Sequence, residues 1–84
     1  MELDNEEMKS TYKSRMLRLQ ILADEIKKNK KMPKDEALRF AMNRWMMSKY
    51  VVEKYLEDLI TRGIVKVTKE GEIEYVEYTN QEEV

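Results

Sequence analysis

The stretch that decides the fold is residues 48–65, SKYVVEKYLEDLITRGIV. Apolar residues recur in it at the spacing of one helical face: Val52, Leu56 and Leu59. Ser48 is a favourable N-cap, and Gly63 suits the left-handed position just past a helix end. The stretch therefore predicts a helix over about residues 49–62 that runs directly into an extended segment.

The segment that follows has the pattern of a β-hairpin. Residues 64–68 and 72–79 are rich in β-branched and aromatic side chains, and the turn between them, Lys-Glu-Gly, places Gly71 where a positive φ is needed. This turn pairs Thr68 with Glu72. The resulting register places Val67 opposite Ile73 and Val65 opposite Tyr75 on the inner side, and Lys66 opposite Glu74 on the outer side.

Two further helices are predicted before residue 48. Pro33 suits the first turn of a short helix, and the apolar face of that helix is Ala37, Leu38, Ala41, Met42 and Trp45. Upstream, a single apolar stripe predicts one long helix with Asp4 as N-cap and Asn29 near its end. The residues of this stripe are Met8, Tyr12, Met16, Leu19, Leu22, Ala23 and Ile26. Leu17 and Ile21 face the opposite way, which indicates either burial on two sides, the interpretation we favour, or a dimer contact.

The order of these elements and residues 48–65 resemble small archaeal-type winged helix-turn-helix regulators, including those of archaeal viruses and plasmids. The shared features are the capping Ser48, a β-branched pair, Tyr55-Leu56, a further leucine and Gly63 before the wing strand. The resemblance covers residues 15–79. It implies an α+β fold of three helices followed by a two-stranded hairpin wing, and it implies that the helix at about 48–62 binds in the major groove of double-stranded DNA. Residues 1–14 would form an N-terminal helical extension and residues 80–84 a frayed acidic tail.

Composition excludes most catalytic chemistry. The 84 residues include no cysteine and no histidine, which excludes Cys/His zinc sites, thiolate nucleophiles and imidazole bases. We therefore expect no enzyme activity, no metal and no cofactor, and no small-molecule ligand is evident. The acidic N-terminus and the short apolar runs predict a cytoplasmic protein with no membrane partner.

Charge is unevenly distributed along a chain whose formal net charge is only −1. Residues 27–54 carry nine basic and three acidic side chains, whereas residues 1–26 and 55–84 have net charges of −2 and −5. A basic centre between acidic ends predicts that nucleic acid is held through one face. The lysines at 27, 28, 30 and 31 are more simply explained as a solvated helix end.

The predicted DNA contacts follow from positions on the third helix. Tyr50 and Lys54 face away from the core, and Lys49 lies beside the Ser48 cap. Lys49 and Lys54 would meet phosphates or guanine edges and Tyr50 a phosphate, or else these residues form an ordinary solvated face. Val51 at the edge of the buried stripe would touch a thymine methyl group, and backbone amides at Ser48 and Lys49 would bind a phosphate. The remaining candidates flank this helix. Arg39 and Arg44 would clamp the DNA backbone, or Arg44 would instead serve to cover Trp45. Lys69 is the only candidate contact from the wing.

Two functions are consistent with the sequence. The first is a sequence-specific transcription regulator acting as a homodimer, with Met8, Tyr12 and Met16 as the candidate dimer interface. The second is a winged-helix protein-interaction module, without DNA binding, in a replication, transcription or membrane-remodelling assembly. The acidic wing and tail and the seven methionines motivate the second hypothesis.

Overall fold

The computed structural model describes residues 11–76. The elements in chain order are α1 (Tyr12–Asn29), β1 (Lys31–Pro33), α2 (Lys34–Trp45), α3 (Lys49–Thr61), β2 (Val65–Val67) and β3 (Glu72–Tyr75). The fold is α+β with the three helices and the terminal hairpin of a winged helix-turn-helix, as predicted. The wing sheet has three strands instead of two.

Helix α1 begins at Tyr12, so the prediction of one continuous helix with Asp4 as N-cap is wrong. Thr11 has an extended backbone, and its Oγ1 accepts a hydrogen bond from the Ser14 amide at 3.1 Å. A threonine hydroxyl satisfies one of the unpaired amides of a first helical turn, which fixes the helix start at this point. Asp4 itself lies outside the described residues.

Helices α2 and α3 match their predicted positions closely. Pro33 is the N-cap of α2 and not its first helical residue. The tight connection to α3 turns at Met46, which has a left-handed backbone with φ 54°. Ser48 caps α3 as predicted, and Gly63 follows the helix end with φ 78°.

The third strand was not predicted. β1 pairs antiparallel with β3, placing Met32 opposite Ile73, and the strand order is β1-β3-β2. The segment is three residues long and ends in proline, so it shows neither alternation nor a β-branched run. Its position at the sheet edge tolerates the proline, because an edge strand can leave one side without ladder hydrogen bonds.

The hairpin register is confirmed: Val65, Lys66 and Val67 lie opposite Tyr75, Glu74 and Ile73. Lys66 and Glu74 form the expected ion pair at 3.9 Å. Val67 lies opposite Ile73 on the same side as Val65, as predicted, but it is 52% exposed while Val65 is buried. The helices therefore cover the β2 end near Val65 but leave the end near the turn open to solvent.

One core joins all three helices to the sheet. Its main members are Leu22 and Ile26 of α1, Leu38 and Trp45 of α2, Leu56 and Leu59 of α3, and Val65 and Ile73 of the hairpin. Ile21 of α1 is half-buried and packs against this core, whereas Leu17 is half-buried and is not among the side chains packed against it. Within residues 11–76, no helix has the length and apolar character needed to cross a membrane.

Candidate nucleic-acid interface

A surface groove lies between α2 and the start of α3, and two of the predicted DNA-binding residues line it. Arg39 comes from the middle of α2 and Lys49 from the first position of α3, and the groove floor includes Leu38 and Met42. Asp35, one turn before Arg39, is the acidic residue at this groove. The sequence predicted both cations separately, and the fold brings them to one groove.

The outer face of α3 continues this basic surface. Tyr50 is 68% exposed, and the Lys54 Nζ lies 5.2 Å from the centre of its ring. The same ammonium group is 3.8 Å from Glu57 Oε1. Because these residues are spaced at three and four positions, all of them lie along one side of the helix.

Ser48 has a structural role at the start of α3. Its Oγ accepts a hydrogen bond from the Val51 amide at 3.4 Å, and its carbonyl accepts one from the Val52 amide. The amides of Lys49 and Tyr50 belong to the first turn, whose N–H groups have no partner within a helix. Val51 is 37% exposed at the edge of this surface.

Two predicted contacts lie apart from the groove. Arg44 is exposed in the last turn of α2, about 140° around the helix from Arg39 at 100° per residue. Lys69 is exposed in the turn between β2 and β3. Neither residue lines the groove that contains Arg39 and Lys49.

The lysines at the end of α1 are engaged away from α3. Lys31 lies 3.6 Å from Glu72 on the wing, and Lys28 pairs with Glu25 at 3.4 Å. The Lys27 Nζ lies over the Tyr75 ring at 5.5 Å. Within the basic centre, Lys27, Lys28 and Lys31 therefore form a sheet-side group with local partners, separate from the group of Arg39, Lys49 and Lys54.

Sequence reasoning missed the polar cluster that attaches α3 to α1. Arg18 is only 7% exposed, and its Nε donates to the Tyr55 hydroxyl at 2.7 Å. One turn earlier, Arg15 bonds Asp58 at 2.9 Å, and its guanidinium lies 4.5 Å from the Tyr55 ring centre. The one signal in the sequence was a matched spacing, since two arginines three apart on α1 meet a tyrosine and an aspartate three apart on α3.

Asp58 is the carboxylate of this cluster, and its pKa is lowered. The Arg62 guanidinium donates to it at 2.6 Å, and this hydrogen bond is the main reason that the pKa of Asp58 is lowered. Partial desolvation opposes that shift, and the hydrogen bond from Arg15 adds to it. Asp58 therefore holds two arginines from two elements while it is ionised.

The residues predicted for a dimer lie at the start of α1. Tyr12 is 74% exposed. Met16 packs partly against the core, and its sulfur lies 3.9 Å from Arg62 Nη2. Met8 is outside the described residues.

The side of α3 that faces the wing has a different character. A depression there is lined by Glu53 and Glu57 of α3 together with Ile60 and Val67, and by Lys34 at the start of α2. Ile60 is 37% exposed. The outer surface of α3 is therefore basic at its beginning, and acidic and apolar toward the wing.

No protein-family model, curated protein or solved structure matches this chain. The resemblance to archaeal-type regulators accordingly stays a prediction, and functional inference rests on the surfaces described above.

Proposed function

We propose that this protein binds double-stranded DNA through the basic face formed by Arg39, Lys49, Tyr50 and Lys54. The observation that carries the proposal is that Arg39 and Lys49, from two different helices, line one groove beside an exposed tyrosine and a third cation. Cations spaced across two elements match the way a helix-turn-helix positions itself on successive phosphates.

In this arrangement the N-terminal half of α3 enters the major groove. Arg39 and Lys49 bind phosphates that flank the groove, and the amides of the first turn support the same contact. Tyr50 and Val51 then lie nearest the bases, where Val51 is suited to a thymine methyl group. Lys54 leaves Glu57 on binding at little cost, because exposed ion pairs contribute only about 0–1 kcal/mol.

The acidic residues restrict how far this contact extends. Glu53 and Glu57 follow on α3, and the wing carries Glu72 and Glu74 beside Lys66. Carboxylates repel phosphates, so the proposed contact is confined to the start of α3 and the adjoining surface of α2. Arg44 and Lys69 are secondary contributors, because neither lines the shared groove.

We further propose a cytoplasmic transcription regulator. A single small module covers too little DNA to specify a site, whereas a homodimer reads two half-sites and raises specificity. The operator would then be a palindrome of two short half-sites.

Fluorescence anisotropy with a labelled mixed-sequence duplex tests DNA binding. The expected result is an affinity that falls linearly as salt rises on a log–log plot. Replacing Lys49 or Arg39 with alanine should reduce the slope by about 0.9 for each phosphate that the variant no longer neutralises. The matched control is Lys31→Ala, which removes one cation from the sheet side of the molecule and should reduce the slope less. If the wild type fails to bind at low salt, the proposal is wrong.

The second candidate is a protein-interaction module, and the exposed Ile60 and Val67 beside Glu53 and Glu57 favour it. Apolar side chains rimmed by carboxylates suit a basic amphipathic segment of a partner. Absence of DNA binding at low salt, with an intact fold by circular dichroism, would favour this candidate over the first.

A further inference from the structure

A second groove runs along α1 on the side where the C-terminal end of α3 meets the hairpin. Its apolar lining includes Met16, Leu59, Ile64 and Tyr75. Its volume of about 250 Å³ is below the roughly 300–1,000 Å³ of a typical small-molecule site. The groove is therefore better suited to side chains from a protein surface than to a ligand of its own.

One ridge of α1 borders this groove, and its residues are spaced four apart: Tyr12, Met16, Gln20, Asp24 and Lys28. Rows of this spacing are the ridges by which helices pack into each other's grooves. Tyr12 at the start of the ridge is 74% exposed, so no element within residues 11–76 covers the ridge there.

The two ends of the groove carry opposite charge. Arg62 is at the Met16 end, with Nη2 only 3.9 Å from the Met16 sulfur. Asp24 is at the other end, eight residues or about 12 Å along the helix. A two-fold rotation about an axis through Gln20 would therefore exchange the basic end of the groove with its acidic end.

Both charged groups keep capacity for another partner. Arg62 uses Nε for Asp58, while its Nη2 donates to a thioether, which is a weak acceptor. Asp24 accepts a hydrogen bond from Gln20 Nε2 at 3.1 Å through Oδ1, and a carboxylate has further acceptor sites.

We propose that a second copy of this chain occupies the groove, with a two-fold axis passing near Gln20. The two α1 helices then run antiparallel, and the ridge of each lies in the groove of the other. Asp24 of each copy meets Arg62 of its partner, and Tyr12 of each meets the ammonium group of the partner's Lys28. A two-fold interface needs a self-complementary surface, and this ridge is self-complementary about its centre.

The test is sedimentation velocity of the full chain over a range of protein concentrations, without DNA. The wild type should show a monomer–dimer equilibrium. Gln20→Lys places two like charges beside each other at the axis and should raise the dimer dissociation constant at least about tenfold. Asn43→Lys adds the same charge at an exposed position of α2 and should leave the constant unchanged.

A charge exchange tests the predicted pairing directly. Asp24→Arg and Arg62→Asp should each weaken the dimer, and the double variant should recover most of the original affinity. Because Arg62 also binds Asp58, thermal unfolding of each variant is recorded to separate loss of pairing from loss of fold. If folding fails in the Arg62 variants, Gln20→Lys and Asp24→Arg still decide the result.

A wild type that stays monomeric at high concentration overturns the proposal. A dimer that is unaffected by Gln20→Lys and Asp24→Arg also overturns it, because the copies then meet elsewhere. The outcome is independent of DNA binding, since no DNA is present and neither position lies on the basic face.

Discussion

The Nε of Arg18 donates a hydrogen bond of 2.7 Å to the hydroxyl of Tyr55, joining α1 to α3 inside the protein. Tyr55 also contacts the Trp45 ring of α2, at 6.4 Å between centroids. One tyrosine of the proposed recognition helix thus contacts both other helices. Tyr55 therefore helps to fix the orientation of α3, together with the buried Val52, Leu56 and Leu59.

Tyr55→Phe should lower the free energy of unfolding by about 1.5–3 kcal/mol, the usual contribution of a hydrogen bond to a charged group. The ring is kept, so the packing against Trp45 is preserved. Urea unfolding followed by tryptophan fluorescence measures the change. Tyr50→Phe removes a hydroxyl from an exposed ring and should change stability by less than about 0.5 kcal/mol. Equal effects of the two variants would contradict the role given to the Arg18 bond.

Asp58 should make stability depend on pH in the acid range. Because its pKa is lowered in the folded state, mainly by the hydrogen bond from Arg62, it stabilises the fold above the ordinary aspartate pKa of about 3.9. That stabilisation is lost as the pH falls through the lower, folded-state pKa. Asp58→Asn should therefore be less stable than wild type at neutral pH, and the difference should shrink below about pH 4. Urea midpoints across the pH range test this, and a difference that stays constant would contradict it.

Met46→Gly should stabilise the protein by about 0.5–1 kcal/mol. Met46 has φ 54° and ψ 44°, a left-handed conformation that costs a residue with a Cβ about 1–2 kcal/mol. Glycine adopts it freely, although it loses more chain entropy on folding. The side chain is 83% exposed, so its removal sacrifices little packing. Asn43→Gly, within α2, should instead destabilise, and thermal unfolding that ranks the two variants the other way would refute this assignment of strain.

Glu57→Gln should strengthen DNA binding if the basic face is the binding surface. The change removes a carboxylate that would repel phosphate and frees Lys54, now 3.8 Å from it. Affinity should rise several-fold at low salt and less at high salt, where charges are screened. Glu25→Gln makes the same charge change beside Lys28 on α1 and serves as the control. A larger gain from Glu25→Gln would place the binding surface on the sheet side.

The parts of the fold that sequence predicted well are those fixed by local chemistry. Ser48 and Gly63 set the limits of α3 through a cap and a left-handed turn. Gly71, with φ 84°, fixes the hairpin turn and through it the register of Val65 with Tyr75. Such signals need only a few neighbouring residues, so they can be read without knowing the tertiary structure.

The features that were missed depend on contacts distant in sequence. β1 forms because residues 31–33 lie beside β3, and nothing local in Lys31-Met32-Pro33 indicates a strand. Val67 follows the inward and outward alternation of the strand, but the helices do not cover it, so its side chain is exposed. At the candidate site, the exposure of Tyr50 and Lys54 was predictable from helical periodicity, whereas the shared groove of Arg39 and Lys49 depends on how α2 crosses α3.

The strand order β1-β3-β2 has a consequence for how the protein is made. The middle strand, Glu72–Tyr75, comes after every other described element in the chain, and both of its neighbours in the described sheet pair with it. During synthesis the three helices can form contacts before β3 exists. At that stage β1 and β2, which contain Met32 and Val65, have no partner strand. The sheet can assemble only after residue 75 has left the ribosome. Chains cut off before Glu72 should expose two unpaired strand segments and be prone to aggregation.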